Sequence, residues 1–243
     1  MHALIVAAGY GSRLREVSPS KPLTLVNGVP LIERVLRAAV AGGVDGVTVV
    51  TGHEADRLER HLAMAAATIG VPVRCVRTAD WSLPNGHSVL TGAATIGPRR
   101  HLLMMADHLI DPVLVARVIA APEAALTLGI DRRLDNPLVD LDDVTRVRTD
   151  GDRIVAIGKH LPDYDCYDTG VFAVDARFHD ALRAAVTAGG PVSISAGVET
   201  LAAARGARVV DIGTAWWLDV DDPRALAQAE AAVARQSAHP RAA

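Results

Sequence analysis

The chain has 243 residues, of which 50% are apolar and 22% charged, so it can bury a sizeable core as one domain or as a domain carrying a subdomain. Its net charge of −3 comes with lysines and arginines interspersed among acids, which leaves no electrostatic footprint for nucleic acid. Cys75 and Cys166 lack metal-like spacing, no apolar run approaches the roughly 18 residues of a membrane span, and Met1-His2 leads directly into an apolar run. The expectation is a cytoplasmic protein with unpaired thiols and no membrane span.

The first half alternates short β-branched runs with longer amphipathic ones. Strands are expected at 3–6, 46–51, 71–77 and 101–106, with helices at 31–41, 55–68 and 88–96 between them. The apolar residues of these strands run together, as they do when both faces of a sheet are covered, so a mostly parallel, Rossmann-like α/β sheet flanked by helices follows. The pattern then shifts to strand-like segments at 125–130, 145–149, 153–158 and 170–174. The middle two flank Asp150-Gly151, which marks a β-hairpin inserted as a substrate subdomain. Helices at 177–187 and 197–205, a strand at 208–212 and a terminal helix opened by Pro223 complete the chain, with a frayed tail expected at 239–243. Residues 1–243 are read as a single domain with two halves, 1–120 and 121–243.

The strongest chemical signal is Ala7-Ala8-Gly9-Tyr10-Gly11-Ser12-Arg13-Leu14 at the end of the first strand, followed by Ser20-Lys21-Pro22-Leu23. Glycines there let backbone N–H groups approach phosphate oxygens, and Arg13 and Lys21 supply cations for a triphosphate. A dinucleotide fingerprint starting at Gly9 fails at Leu14, and a P-loop fails at Leu14-Arg15. Asp107 follows Leu102-Leu103-Met104-Met105-Ala106 and should project from a strand end beside that loop, where one carboxylate needs a distant partner to hold magnesium. Trp216-Trp217-Leu218-Asp219-Val220-Asp221-Asp222-Pro223 offers one, with Asp219 and Asp221 on the same side of an extended segment and Asp222 suited to cap the following helix.

The arrangement Ala-Ala-Gly-x-Gly-Ser-Arg-Leu followed by Lys-Pro-Leu resembles the opening of the nucleotidyltransferases that make NDP-sugars and CDP-alcohols. Asn-Gly-His-Ser, Met-Ala-Asp-His, Ile-Gly-Lys, Asp-Cys-Tyr-Asp-Thr-Gly and Trp-Leu-Asp-Val-Asp resemble most the CTP:inositol-1-phosphate cytidylyltransferase domains, over nearly the whole chain. The resemblance implies an Mg2+-dependent enzyme that transfers NMP, with CTP favoured as NTP, to a phosphorylated small-molecule acceptor. It implies Asp219 before Asp221 as the partner of Asp107 at the metal. Asn85, Gly86 and Ser88 would meet the base, and Lys159 the acceptor phosphate, while Asp168, Thr169 and Gly170 would line the acceptor pocket. Inositol 1-phosphate or a related cyclitol phosphate is the expected acceptor, with a sugar 1-phosphate, phosphocholine or a phosphonate as alternatives and a non-catalytic nucleotide sensor as the alternative of another class. Alanine-rich helices could support a homodimer.

Overall fold

A computed structural model describes residues 1–238, so the tail expected at 239–243 lies outside the described residues. The chain opens with β1 (His2–Ala7), a small hairpin of β2 (Leu25–Val26) and β3 (Val29–Pro30), and α1 (Leu31–Ala41). β4 (Gly46–Thr51), α2 (Ala55–Ile69), β5 (Val73–Arg77), α3 (Asn85–Ile96) and β6 (His101–Met105) complete the winding. β1 lies between β4 and β6, and β4 is followed by β5, all in parallel. Successive side chains of β1 divide between two cores, because Ala3 and Ile5 pack with Ile32, Leu36 and Leu58 while Leu4 packs with Val89 and Phe178 on the other face. That two-sided burial is why the strand reads as an unbroken apolar run.

The second half contains β7 (His108–Ile110), α4 (Pro112–Ala120), β8 (Leu126–Asp131), β9 (Arg146–Asp150), β10 (Arg153–Gly158) and β11 (Cys166–Val174). It ends with α5 (Ala176–Thr187), α6 (Ile194–Ala203), β12 (Ala207–Asp211), β13 (Trp217–Asp219) and α7 (Pro223–Ala238). One nine-stranded sheet runs through both halves in the order β5-β4-β1-β6-β11-β8-β12-β10-β9, and β9 pairs with β11 as well. The sheet is parallel from β5 to β6 and mixed beyond it, since β11 runs antiparallel to both β6 and β8. The expected hairpin is β9 and β10, joined after Asp150 through Gly151 at φ +59°.

Several elements go beyond the sequence reading. The segment read as a base-binding loop at 83–88 becomes helix at Asn85, with Pro84 at the helix start holding φ −52°. α4 follows Asp111, whose carboxylate accepts from the Val113 amide at 3.0 Å. β7 and β13 form a separate two-stranded ribbon in which Asp219 lies opposite His108. These strands are three residues each, too short to show an alternation.

Candidate active site

The site forms where β1 and β6 end. After β6 the chain stays beside β1, with the Ala106 amide donating to the Val6 carbonyl at 3.2 Å, so Asp107 emerges next to the glycine loop. The ribbon then brings in the late acidic segment: Asp219 pairs with His108, and the Val220 amide donates to the Asp107 carbonyl at 3.0 Å. Two carboxylates more than a hundred residues apart in sequence therefore meet through backbone register.

Lys21 reaches the same place from a short 3-10 turn at Lys21–Leu23. Gly11, at φ +64°, allows its passage, because a Cβ there would stand 2.5 Å from the Lys21 Cβ. The Lys21 ammonium donates to Asp107 Oδ2 at 2.6 Å and to Asp221. Arg13 donates to Asp221 and, at 2.7 Å, to Asp143 Oδ2. Burial opposes the charge on Lys21, but Asp107, Asp219 and Asp221 outweigh it and raise its pKa, so the ammonium stays charged.

Two cavities, each of about 240 Å³, adjoin this cluster. One is lined by Ala7, Gly9, Gly11, Ser12, Arg13 and Lys21, and the other by Lys159, Asp168, Gly170, Asp143, Trp217 and Asp219. Asp107 and Asp221 line both, so these acids form the wall between the two.

The acidic groups fit a hard divalent cation. Carboxylate oxygens of Asp143, Asp219 and Asp221 lie within 4.8 Å of one another, and so do ligand atoms of Asp107, His108 and Asp219. Oδ1 of Asp219 is buried and accepts no hydrogen bond among the described residues, with His108 Nδ1 standing 3.7 Å away. Burial pushes Asp219 up to about 7; His108 opposes the rise, and the charges of Asp107 and Asp221 add to it. A carboxylate in that position is stabilised by a cation at the orphaned oxygen. His108 donates to Asp107 Oδ1 at 2.8 Å and lies nearly parallel to Trp217, with its pKa raised to about 9 because Asp219 and Asp107 outweigh burial.

The expected acceptor residues separate into two groups. Lys159 pairs with Asp143 at the pocket, and Asp168 faces the same space while accepting from the Gly170 amide at 2.7 Å, with burial pushing its pKa up to about 6. Gly170, at φ +75°, lies against His108, where a Cβ would come within 2.6 Å of the ring. Thr169 is not brought to the pocket: its fully buried hydroxyl donates to the Gly129 carbonyl at 2.7 Å and ties β11 to β8. At the expected base segment, Asn85 lines the second cavity, but its side-chain oxygen accepts from the Ile194 amide at 2.9 Å. Gly86 lies against the Val192 carbonyl, so Asn85 and Gly86 tie the start of α3 to the segment that opens α6, and Ser88 is buried. Asp222 accepts from the Ala225 amide at 2.7 Å and caps α7.

Two residues outside the predicted site shape it. Asp143, from the 132–145 loop, gathers Arg13 and Lys159 on one carboxylate. Burial works against that charge, but the hydrogen bonds donated by Lys159 and Arg13, with the Lys159 charge, hold the Asp143 carboxyl well below the usual range. Asp131 is fully buried and accepts from Arg133, from Asn136 Nδ2 at 2.9 Å and from Trp217 Nε1 at 2.9 Å, fixing both that loop and the strand carrying Asp219. The only sequence signal for Asp143 was the acid density of Asp140-Leu141-Asp142-Asp143.

Residues 3–208 match the model of the MobA-like NTP transferase domain. The chain belongs to that family. This transferase is 37% identical over 232 residues to the bifunctional IPC transferase and DIPP synthase of Rubrobacter xylanophilus, a match covering 94% of this chain and 51% of that protein. It is 30% identical over 256 residues to the CMP-5'-(3-aminopropyl)phosphonate synthase of Streptomyces rubellomurinus, covering 95% and 38% respectively. The transferase thus spans about half the length, or less, of these curated relatives. Among solved structures it shares the fold of the inositol-1-phosphate CTP transferase from T. maritima, with a TM-score of 0.87 at 22% identity over 100% of this chain and 98% of that one. Among the described residues no helix is long and apolar enough to cross a membrane.

Proposed function

We propose that this chain is a magnesium-dependent cytidylyltransferase that transfers CMP from CTP to inositol 1-phosphate or a closely related cyclitol phosphate and releases pyrophosphate. The observation that carries this reading is the shared wall: Asp107 and Asp221 face both the glycine-loop cavity and the cavity holding Lys159, with the Lys21 ammonium bonded to both. A transfer between two phosphate-bearing substrates needs such a boundary. The names of the relatives, which include a CTP transferase acting on inositol 1-phosphate and a CMP-phosphonate synthase, favour cytosine as the base and a phosphorus oxyanion as the attacking group.

In this reading the triphosphate lies on the glycine loop with Arg13 and Lys21 against its oxygens, and the acceptor phosphate lies on Lys159. An acceptor oxygen forms a bond to the α-phosphorus as the bond to the pyrophosphate oxygen breaks in line. A phosphate monoester is already nucleophilic near neutral pH, so the protein has to orient and neutralise rather than remove a proton. Lys21 stabilises charge growing at the transferred phosphoryl group, and Arg13 stabilises the departing pyrophosphate. Asp107, Asp219 and Asp221 would hold the magnesium ion, which supplies further positive charge when bound. Asp168 accepts hydrogen bonds from acceptor hydroxyls.

The test is pyrophosphate release with magnesium, pairing each of CTP, GTP, UTP, ATP and dTTP with inositol phosphates, hexose 1-phosphates, phosphocholine and simple phosphonates. Release with CTP and inositol 1-phosphate, abolished by EDTA, is the expected result. Release only with a phosphonate or a sugar phosphate moves the acceptor and keeps the transfer, whereas silence with every pair overturns the catalytic reading in favour of a nucleotide sensor.

A further inference from the structure

Asp143 stands at the junction of three elements. Arg13 comes from the glycine loop and lines the first cavity, Lys159 follows β10 and lines the second, and Asp143 sits on the 132–145 loop. Its two oxygens are divided between them, Oδ2 accepting from Arg13 at 2.7 Å and Oδ1 accepting from Lys159. A single side-chain carboxylate thus pairs with one cation from each cavity, and Arg13 is bonded to Asp221 as well. The loop holds it firmly: the amides of Asp143 and Val144 donate to the Asp140 carbonyl at 3.2 and 2.9 Å, and Asn136 is tied to buried Asp131.

We propose that Asp143 is a positioning residue that withholds Lys159 from lone phosphate ligands, acting as an internal anion that an incoming phosphate must displace. This rests on the reading of Lys159 as a phosphate-binding cation in the proposed transfer. Displacement is costly for a single ligand for two reasons. The ion pair with Lys159 must break, and the freed carboxylate then faces the phosphate, with oxygens of Asp219 and Asp221 also within 4.8 Å of its own. The Lys159 side chain is long and half exposed, whereas the aspartate is short and its loop is braced, so the cation yields while the carboxylate stays. The consequence is a site with weak affinity for an isolated acceptor phosphate, which avoids filling one cavity before the other is charged with nucleotide.

The experiment is a calorimetric titration of inorganic phosphate into the full chain without nucleotide or metal, comparing wild type with Asp143→Asn, Lys159→Ala and the double variant. Inorganic phosphate requires no knowledge of the acceptor alcohol and no turnover, so its result is independent of whether pyrophosphate release is seen. Asp143→Asn should bind phosphate about tenfold more tightly than wild type, a difference of about 1.4 kcal/mol, and the gain should vanish in the Lys159→Ala background. A purely structural role would weaken binding instead. Equal or weaker binding by a folded Asp143→Asn overturns the proposal, and so does a gain that survives loss of Lys159. Asp143→Ser, smaller and equally uncharged, answers the same question if the asparagine variant does not fold.

Discussion

Lys21 shows how one side chain can be required by two neighbours at once. It is bonded to Asp107 and Asp221, and its side chain is only 10% exposed, so its charge is felt through little solvent. In the proposed transfer it stabilises charge that grows in the transition state, and removing one such donor typically costs about 100-fold to 1000-fold, or roughly 3 to 4 kcal/mol. Lys21→Ala should therefore lose that much in kcat/KM for pyrophosphate release while keeping the circular dichroism spectrum of the wild type. Turnover within a factor of a few of wild type would remove Lys21 from the chemistry. Thr169, by contrast, is a residue whose type misled: a hydroxyl beside a pocket motif suggests ligand contact, but burial commits it to the Gly129 carbonyl. Sequence position carries no information on which side of β11 the side chain turns at the register shift between Asp168 and Phe172.

At the scale of elements, the most legible parts were those with strong local chemistry. The 3.6-residue spacing of Leu31, Ile32, Val35, Leu36 and Ala39 marked α1, and Asp150-Gly151 marked the hairpin. The glycine loop, Lys21, Asp107 and the late Asp219-Val220-Asp221 segment were legible as well, because glycine and charge at strand ends have few structural explanations. What stayed hidden depends on long-range pairing. Nothing near Asp135, Asp140, Asp142 or Asp143 says which of these acids meets Arg13, and that choice is made by the brace that Asp131 provides across 86 residues to Trp217. Asp131 holds Arg133, Asn136 and Trp217 together, so Asp131→Ala leaves the buried Trp217 N–H without its carboxylate and frees both the loop and the ribbon. The expected loss is about 3 kcal/mol in urea unfolding, accompanied by a rise in KM because Asp143 and Asp219 lose their fixed positions. A change under about 1 kcal/mol would mean that the brace is redundant.

Across the whole molecule, the two faces of the sheet are sealed by different helices, and one of these seals contains a titratable pair far from the acidic wall. His179 of α5 packs against His101 at the start of β6, with ring centroids 5.1 Å apart and both side chains nearly inaccessible at 2% and 0% exposure. Burial, followed by the neighbouring His101 and Arg183, lowers the pKa of His179 to about 4, and His101 is lowered chiefly by burial. Above pH about 6.5 both rings are neutral in folded and unfolded chains, so they add no pH dependence. As pH falls below that value the unfolded chain takes up protons that the folded chain refuses until pH nears 4, so stability declines through this window and levels off below it. For His179 alone the decline should reach about 3 kcal/mol. Urea unfolding at pH 7.5 and pH 4.5 measures it, and His179→Gln, which cannot take up the proton, should flatten that part of the profile. An unchanged slope in the variant would assign acid sensitivity to other groups and leave the pair as packing alone. The expected flattening would instead make the α5–β6 seam the weak point of the fold in acid, since opening there lets a proton reach rings that the closed sheet keeps neutral.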